Sequence, residues 1–238
     1  MTGQAARQAF PIVILGGAFS WPGIYAGMRR TLAECAGVPV SVVPAHPADW
    51  ALAVSEYGWL RILRKLDREI RRVTADTARP RVVLVGHSAG GVVGRLYLSP
   101  EPFRGETYAG LERVAHLITL GSPNTNQRVG PMRRWVDDRY PGACFSPAVR
   151  YTSVAGRRLE GRRHGTAAQR AAYSVYRKLS GDGAAWGDGL VPTGVALLPG
   201  AGAVMLDGVG HGPVLSRPWY GTAEIVRRWW AAAADESR

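Results

Sequence analysis

Six short aliphatic runs recur along the chain, at residues 11–15, 38–43, 81–85, 114–120, 149–155 and 203–209, and most are apolar at every position instead of every second one. A strand with one wet face alternates apolar and polar side chains, so an uninterrupted run belongs to a strand buried on both sides. Helical periodicity fills the gaps. Residues 23–37 and 58–78 both carry it; in the second, Trp59, Leu60, Leu63, Leu66 and Ile70 form an apolar stripe while Arg61, Arg64, Lys65, Arg68, Arg71 and Arg72 fill the rest. The expected fold class is α/β, a mostly parallel sheet of about six strands with helices on both faces.

At 238 residues, 46% of them hydrophobic, the chain can bury one full core. No repeat, low-complexity tract or linker divides it, so residues 1–238 read as a single domain. Residues 122–148 and 156–187 exceed the connections a compact α/β unit needs, and they carry Trp135, Tyr140, Phe145, Tyr173, Tyr176 and Trp186. Long aromatic-bearing insertions beside strand ends are where lids and substrate walls sit, which makes both candidate lid segments. Cys35 and Cys144 stand far apart without paired spacing, which excludes a disulfide framework and a zinc ribbon and reads them as small buried hydrophobes.

The formal charge of +12 is carried almost wholly by arginine, Lys65 and Lys178 being the only lysines. Such a field attracts anions, but the arginines are scattered and no nucleic-acid motif accompanies them, so no nucleic-acid partner is expected. The basic amphipathic segment 58–78 is compatible with transient contact with a lipid surface, and equally with a helix that covers a sheet and solvates its charges. The N-terminal "MTGQAARQAFPIVILGGAFSW" fits neither a signal peptide nor a membrane span, because its apolar run stops at Gly16 and Gly17. A cytoplasmic protein is the expectation.

The motif that carries chemistry is "RVVLVGHSAGGVVGRLYL", residues 81–98. A Gly-x-Ser-x-Gly directly after a strand and directly before a helix describes a strained corner that pushes Ser88 outward, with Gly86 and Gly90 lacking the Cβ atoms that would collide across it. The following helix aims unpaired amides at the same place, so the N–H of Ala89 is one oxyanion donor. The second is expected from the loop after the first strand, "ILGGAFSWPG", where Ala18 follows two glycines. A serine needs a base. Of five histidines, His46 precedes the serine, His87 is its neighbour and points elsewhere, His116 lies in a strand and His164 in an arginine-rich insertion. His211, after the last strand, has the expected place. The orienting acid belongs between them: "WGDGLVP" offers Asp188, with Asp182 and Asp207 as rivals.

The pieces "VILGGAFSW", "PADW", "VGHSAGG", "TLGSPN", "YTSVAG", "WGDGLVP", "LDGVGHGP" and "WYGT" run along nearly the whole chain. In them the sequence resembles the α/β-hydrolase superfamily, lipase- and esterase-like, and within it the inositol-deacylase-like hydrolases of plants and photosynthetic bacteria. The resemblance implies an α/β-hydrolase fold and a serine hydrolase cleaving carboxylic esters through an acyl-enzyme, with Ser88, Asp188 and His211 as the triad. Two departures stand out: Asn124 occupies a position after "SP" where such proteins often carry histidine, and no transmembrane segment is evident. The expected substrate is a small-molecule or lipid ester, and neither cofactor nor metal is called for, since no HExxH or carboxylate cluster occurs. A non-catalytic scaffold that binds a ligand or partner, and a hydrolase of amides or thioesters, are the alternatives. Oligomeric state is left open by the sequence.

Overall fold

The computed structural model describes residues 9–53, 55–125, 130–214 and 216–235, and in it each aliphatic run becomes a strand of one sheet. Among these residues the strands are β1 (Ile12–Leu15), β2 (Val40–Val42), β3 (Val82–His87), β4 (Val114–Leu120), β5 (Arg150–Arg157), β6 (Leu159–Glu160), β7 (Trp186–Gly187) and β8 (Gly202–Asp207). The helices are α1 (Ala26–Ala36), α2 (Pro47–Ala51), α3 (Glu56–Thr77), α4 (Ala89–Tyr97), α5 (Gly110–Arg113), α6 (Pro131–Arg139), α7 (Ala167–Ser180), α8 (Thr193–Ala196) and α9 (Ala223–Asp235). The main sheet has the order β2-β1-β3-β4-β5-β8, parallel throughout. Residues 1–8, the start of the segment weighed as a leader, lie outside the described residues.

The uninterrupted apolar runs are explained by two cores. In β1, Val13 and Leu15 face one core while Ile12 and Ile14 face the other, and Val82 and Leu84 against Val83 and Val85 divide in the same way in β3. The first core is closed by α3, whose stripe of Trp59, Leu60, Ile62, Leu63, Leu66, Ile70 and Val73 is buried. Its outward arginines are solvated or paired with acids one turn away, as in Arg71–Asp67 and Arg72–Asp76. The second core is closed by α1 and α9 through Met28, Leu32, Ile225, Val226 and Trp229. No helix among the described residues is long and apolar enough to cross a membrane.

Residues 122–148 lead from β4 to β5. Residues 126–129 lie outside the described residues; α6 buries Met132 and Val136, and Tyr140 and Phe145 join the first core. Residues 156–187 leave the end of β5, pair β6 with β7 as an antiparallel ribbon and fold α7 between them. That helix begins with a capping box: Thr166 Oγ1 accepts from the Gln169 amide and Gln169 Oε1 from the Thr166 amide. Cys35 and Cys144, expected inside, are both exposed free thiols. Cys35 lies in the last turn of α1, past Met28, Thr31 and Leu32, which face inward, and Cys144 lies in the turn before β5.

One polar device sits inside this packing. Arg95, 2% exposed, donates to Asp137 Oδ1, Asn124 O and Tyr140 O, each at 2.6 Å, and so ties α4 to α6. Removing this buried guanidinium takes its hydrogen bonds from the Asn124 and Tyr140 carbonyls and from Asp137, so Arg95→Met should lower the unfolding free energy by about 3 kcal/mol in urea titration. A loss below about 1 kcal/mol, the size for an exposed pair, would show that the bridge contributes little.

Candidate active site

Ser88 stands at the corner where β3 becomes α4, with φ 53° and ψ −127°, a conformation L residues rarely adopt. The corner is held by backbone: Ser88 N–H donates to Leu120 O at 2.9 Å, and Gly91 N–H to Ser88 O at 3.1 Å. The helix starts so close to β1 that a Cβ on Gly90 would lie 2.4 Å from Leu15 O and 2.6 Å from Gly16 O. The loop after β1 crosses the serine equally closely, since a Cβ on Gly17 would come 2.7 Å from Ser88 Cβ. Glycine is required at both positions by contact. The serine thus lies where the strand order reverses about β1, at the carboxyl ends of the strands, where open α/β sheets bind ligands.

Ser88 Oγ lies 3.0 Å from His211 Nε2, and His211 Nδ1 lies 2.8 Å from Asp188 Oδ2. His211 is in the loop beyond β8, and its amide donates to Asp188 O at 3.0 Å, so the two loops are joined by backbone as well. Asp188 is 1% exposed. Its Oδ1 accepts from the amides of Leu190 and Val191 at 2.9 and 2.7 Å, and its Oδ2 also accepts from the Tyr220 hydroxyl at 2.9 Å. Burial pushes this carboxyl up, but the His211 imidazole and the two amides outweigh burial and hold it below its ordinary range. The rivals lie elsewhere: Asp207 pairs with Arg157 at the surface, and Asp182 accepts from the Ala184 amide in its own turn.

His87 is buried under the site with a partner on each ring nitrogen. Nε2 is 2.8 Å from His211 O, an acceptor only, so Nε2 carries the proton; Nδ1 then accepts from the Tyr25 hydroxyl at 2.8 Å. The Tyr25 oxygen in turn accepts from the Gly17 amide at 2.9 Å. One neutral imidazole therefore links the loop after β1 to the loop that bears His211. Burial, helped by the nearby His211, lowers its pKa to about 3.

Ala89 is the first residue of α4, so its amide has no intrahelical acceptor, and Ala18 lies exposed in the loop after β1 next to Gly17. His46 caps α2, His116 bonds Thr152 and Arg150 within the sheet, and His164 is exposed on the α7 excursion. Tyr25 and Tyr220 were not singled out by sequence reasoning as site residues, and Tyr176 was named only among the aromatics of the candidate lid segment 156–187. Tyr220 falls within "WYGT", and Tyr176 accepts from the Gly189 amide at 2.8 Å beside Asp188. Among the described residues, no group of three His, Cys, Asp or Glu side chains could hold a metal ion.

No protein-family model and no curated protein matches the chain. Solved structures do resemble it. The mature form of the Bacillus licheniformis lipase BlEst2 shares 18% identity, covering 87% of this chain and 86% of that one, at a TM-score of 0.59. A Xanthomonas campestris protein assigned to the α/β superfamily of hydrolases shares 16% over 96% and 98%, at 0.53. An Acinetobacter baumannii protein assigned as a lipase shares 13% over 97% and 85%, also at 0.53. Together with the parallel six-stranded sheet, these likenesses show the α/β-hydrolase fold.

The buried histidines give the protein a defined pH response. His87 and His116 both have pKa lowered to about 3 from 6.5, His87 for the reasons above and His116 by burial and the neighbouring Arg150. The unfolded chain therefore binds more protons than the folded one between those values. Stability is fully present above about 6.5 and is lost as pH falls toward 3, by about 2 kcal/mol per histidine at pH 5. Urea unfolding at pH 7 and 5 should show this loss, and His116→Gln should remove roughly half of it. A wild-type curve that is flat over the interval would contradict the neutral buried state.

Proposed function

We propose that the chain is a serine hydrolase that cleaves carboxylic esters. The observation that carries this reading is the hydrogen-bonded line from Ser88 Oγ through His211 to the buried Asp188, starting at a strained strand-to-helix corner. In the proposed reaction, Ser88 Oγ attacks the acyl carbonyl while His211 Nε2 takes its proton, and Asp188 Oδ2 holds the Nδ1–H tautomer and balances the imidazolium. The amides of Ala18 and Ala89 stabilise the tetrahedral oxyanion. His211 returns the proton to the leaving alkoxide, releasing the alcohol. Water, deprotonated by the same imidazole, then attacks the acyl-serine and releases the acid.

The structural neighbours named as lipases favour an ester over other acyl donors, and the small-molecule or lipid ester of the sequence reading is the substrate class proposed. The inositol-deacylase-like subgroup rests on the sequence pieces alone. The wall of the acyl site is proposed among the loops at the carboxyl ends of the strands, with Trp186 of the α7 excursion 47% exposed.

A fluorophosphonate should label the wild type at Ser88, located by peptide mass spectrometry, and Ser88→Ala should lose both labelling and hydrolysis of aryl esters. Asp188→Asn should lower turnover by about 10³-fold, because the imidazole takes the wrong tautomer, while Asp207→Asn should leave it nearly unchanged. Parallel assays on matched amides and thioesters identify the acyl donor. Ester hydrolysis that survives Ser88→Ala, or the reverse ranking of the two aspartates, would overturn the assignment.

A further inference from the structure

The opposite end of the sheet holds a cavity of about 590 Å³, within the range of small-molecule sites. Its apolar walls include Phe10 before β1, Val83 of β3, Ile118 of β4 and Trp230 of α9. Among the described residues, the charged or titratable side chains that line it are Arg81, His116 and Arg150, and no carboxylate does. His116 is the neutral Nε2–H tautomer: its Nδ1 accepts from the Arg150 guanidinium at 2.6 Å and its Nε2 donates to Thr152 Oγ1 at 2.9 Å. Arg150 also donates to Ala233 O at 2.9 Å.

Arg81 is the group left over. One of its terminal nitrogens donates to the carbonyls of Val114 and Ala148, and no acidic side chain of the described residues lies within ion-pair distance of it. Its Nε is buried without a hydrogen-bond partner. A guanidinium that lines the cavity and is compensated, among the described residues, only by carbonyl dipoles keeps a charge that an anion seated there would offset. Apolar walls beside it favour an anion with a hydrocarbon tail.

We propose that this cavity binds a medium-chain aliphatic carboxylate, the head on Arg81 and the tail against Phe10, Val83, Ile118 and Trp230. The site is separate from Ser88 and does not depend on the hydrolase reading.

The test is calorimetric titration of the full chain with decanoate, decanol and acetate. Decanoate should bind with one-to-one stoichiometry, and decanol and acetate about tenfold or more weaker, the first lacking the charge and the second the tail. Arg81→Met should weaken decanoate about tenfold, whereas Arg61→Met on the exposed face of α3 should not. Because Arg81 also holds strand carbonyls, a second variant leaves it in place: Ala115→Phe fills the cavity and should abolish binding with the thermal transition retained. Should that variant not fold, Ala36→Phe, at another position that lines the cavity, serves the same purpose. Equal binding of decanol and decanoate would overturn the proposal, as would equal effects of Arg61→Met and Arg81→Met. So would binding that survives cavity filling, absence of saturation, or binding lost on phosphonylation of Ser88, which would place decanoate in the catalytic cleft.

Discussion

Everything at the candidate active site depends on how closely α4 approaches β1. The helix must start directly beneath the strand end, where Gly90 lies against the carbonyls of Leu15 and Gly16, and only an abrupt corner at Ser88 allows it. That backbone conformation costs about 1–3 kcal/mol and persists because its surroundings over-determine it. Leu120 of β4 takes the serine amide, and α4 is packed into the first core through Val92, Val93 and Leu96. With the two neighbouring strands β1 and β4 fixing the corner, the loops after β1 and β8 need only close over it.

They close through a buried polar chain. Gly17, Tyr25, His87 and the His211 carbonyl form a line of hydrogen bonds in which each donor has an acceptor. In a low-dielectric interior such a line is favourable only when complete, and when complete it is rigid. Asp188 follows the same rule from the other side, with two backbone amides, Tyr220 and His211 on its two oxygens. A buried carboxylate with four donors has little freedom to turn, which keeps its second oxygen aimed at the imidazole. The Tyr220 hydroxyl also accepts from the Gly156 amide at 2.7 Å, so the acid is braced against the end of β5.

The sheet was legible because burial on two faces leaves a mark at every position of a strand, and the corner because its glycines sit in a fixed local pattern around Ser88. Boundaries were less so. The run at residues 38–43 pairs only over Val40–Val42, an edge strand whose last two residues are half exposed. The tyrosines of the site left little mark. Tyr25, Tyr176 and Tyr220 act through hydroxyls that reach across 62, 13 and 32 residues of sequence to His87, Gly189 and Asp188, and a buried tyrosine is spelled the same whether its oxygen meets a site or a strand. His87 was separable from His211 by residue order and by the geometry of neighbouring side chains at a bend. The surface cysteines were misread because composition treats a thiol as core, while local position decides exposure: Cys35 sits in the last turn of α1 and Cys144 in the turn before β5.

The strong positive charge is organised by the polarity of the fold. In a parallel sheet with helical crossovers, helix N-termini and free amides gather at the carboxyl ends of the strands, where α4 begins at Ser88. Carbonyl ends gather at the opposite edge, and cations belong there. Arg81 donates to Ala148 O and Val114 O, and Arg150 to Ala233 O in the last turn of α9. Both arginines thus meet backbone dipoles at the foot of the sheet. On α3, by contrast, Lys65 and Arg61 converge on the buried Asp49, and arginines along the outer face meet acids at helical spacing. The two groups of cations are chemically distinct: Arg61, Lys65, Arg71 and Arg72 on α3 meet carboxylates of the same chain, whereas the partners of Arg81 among the described residues are backbone carbonyls.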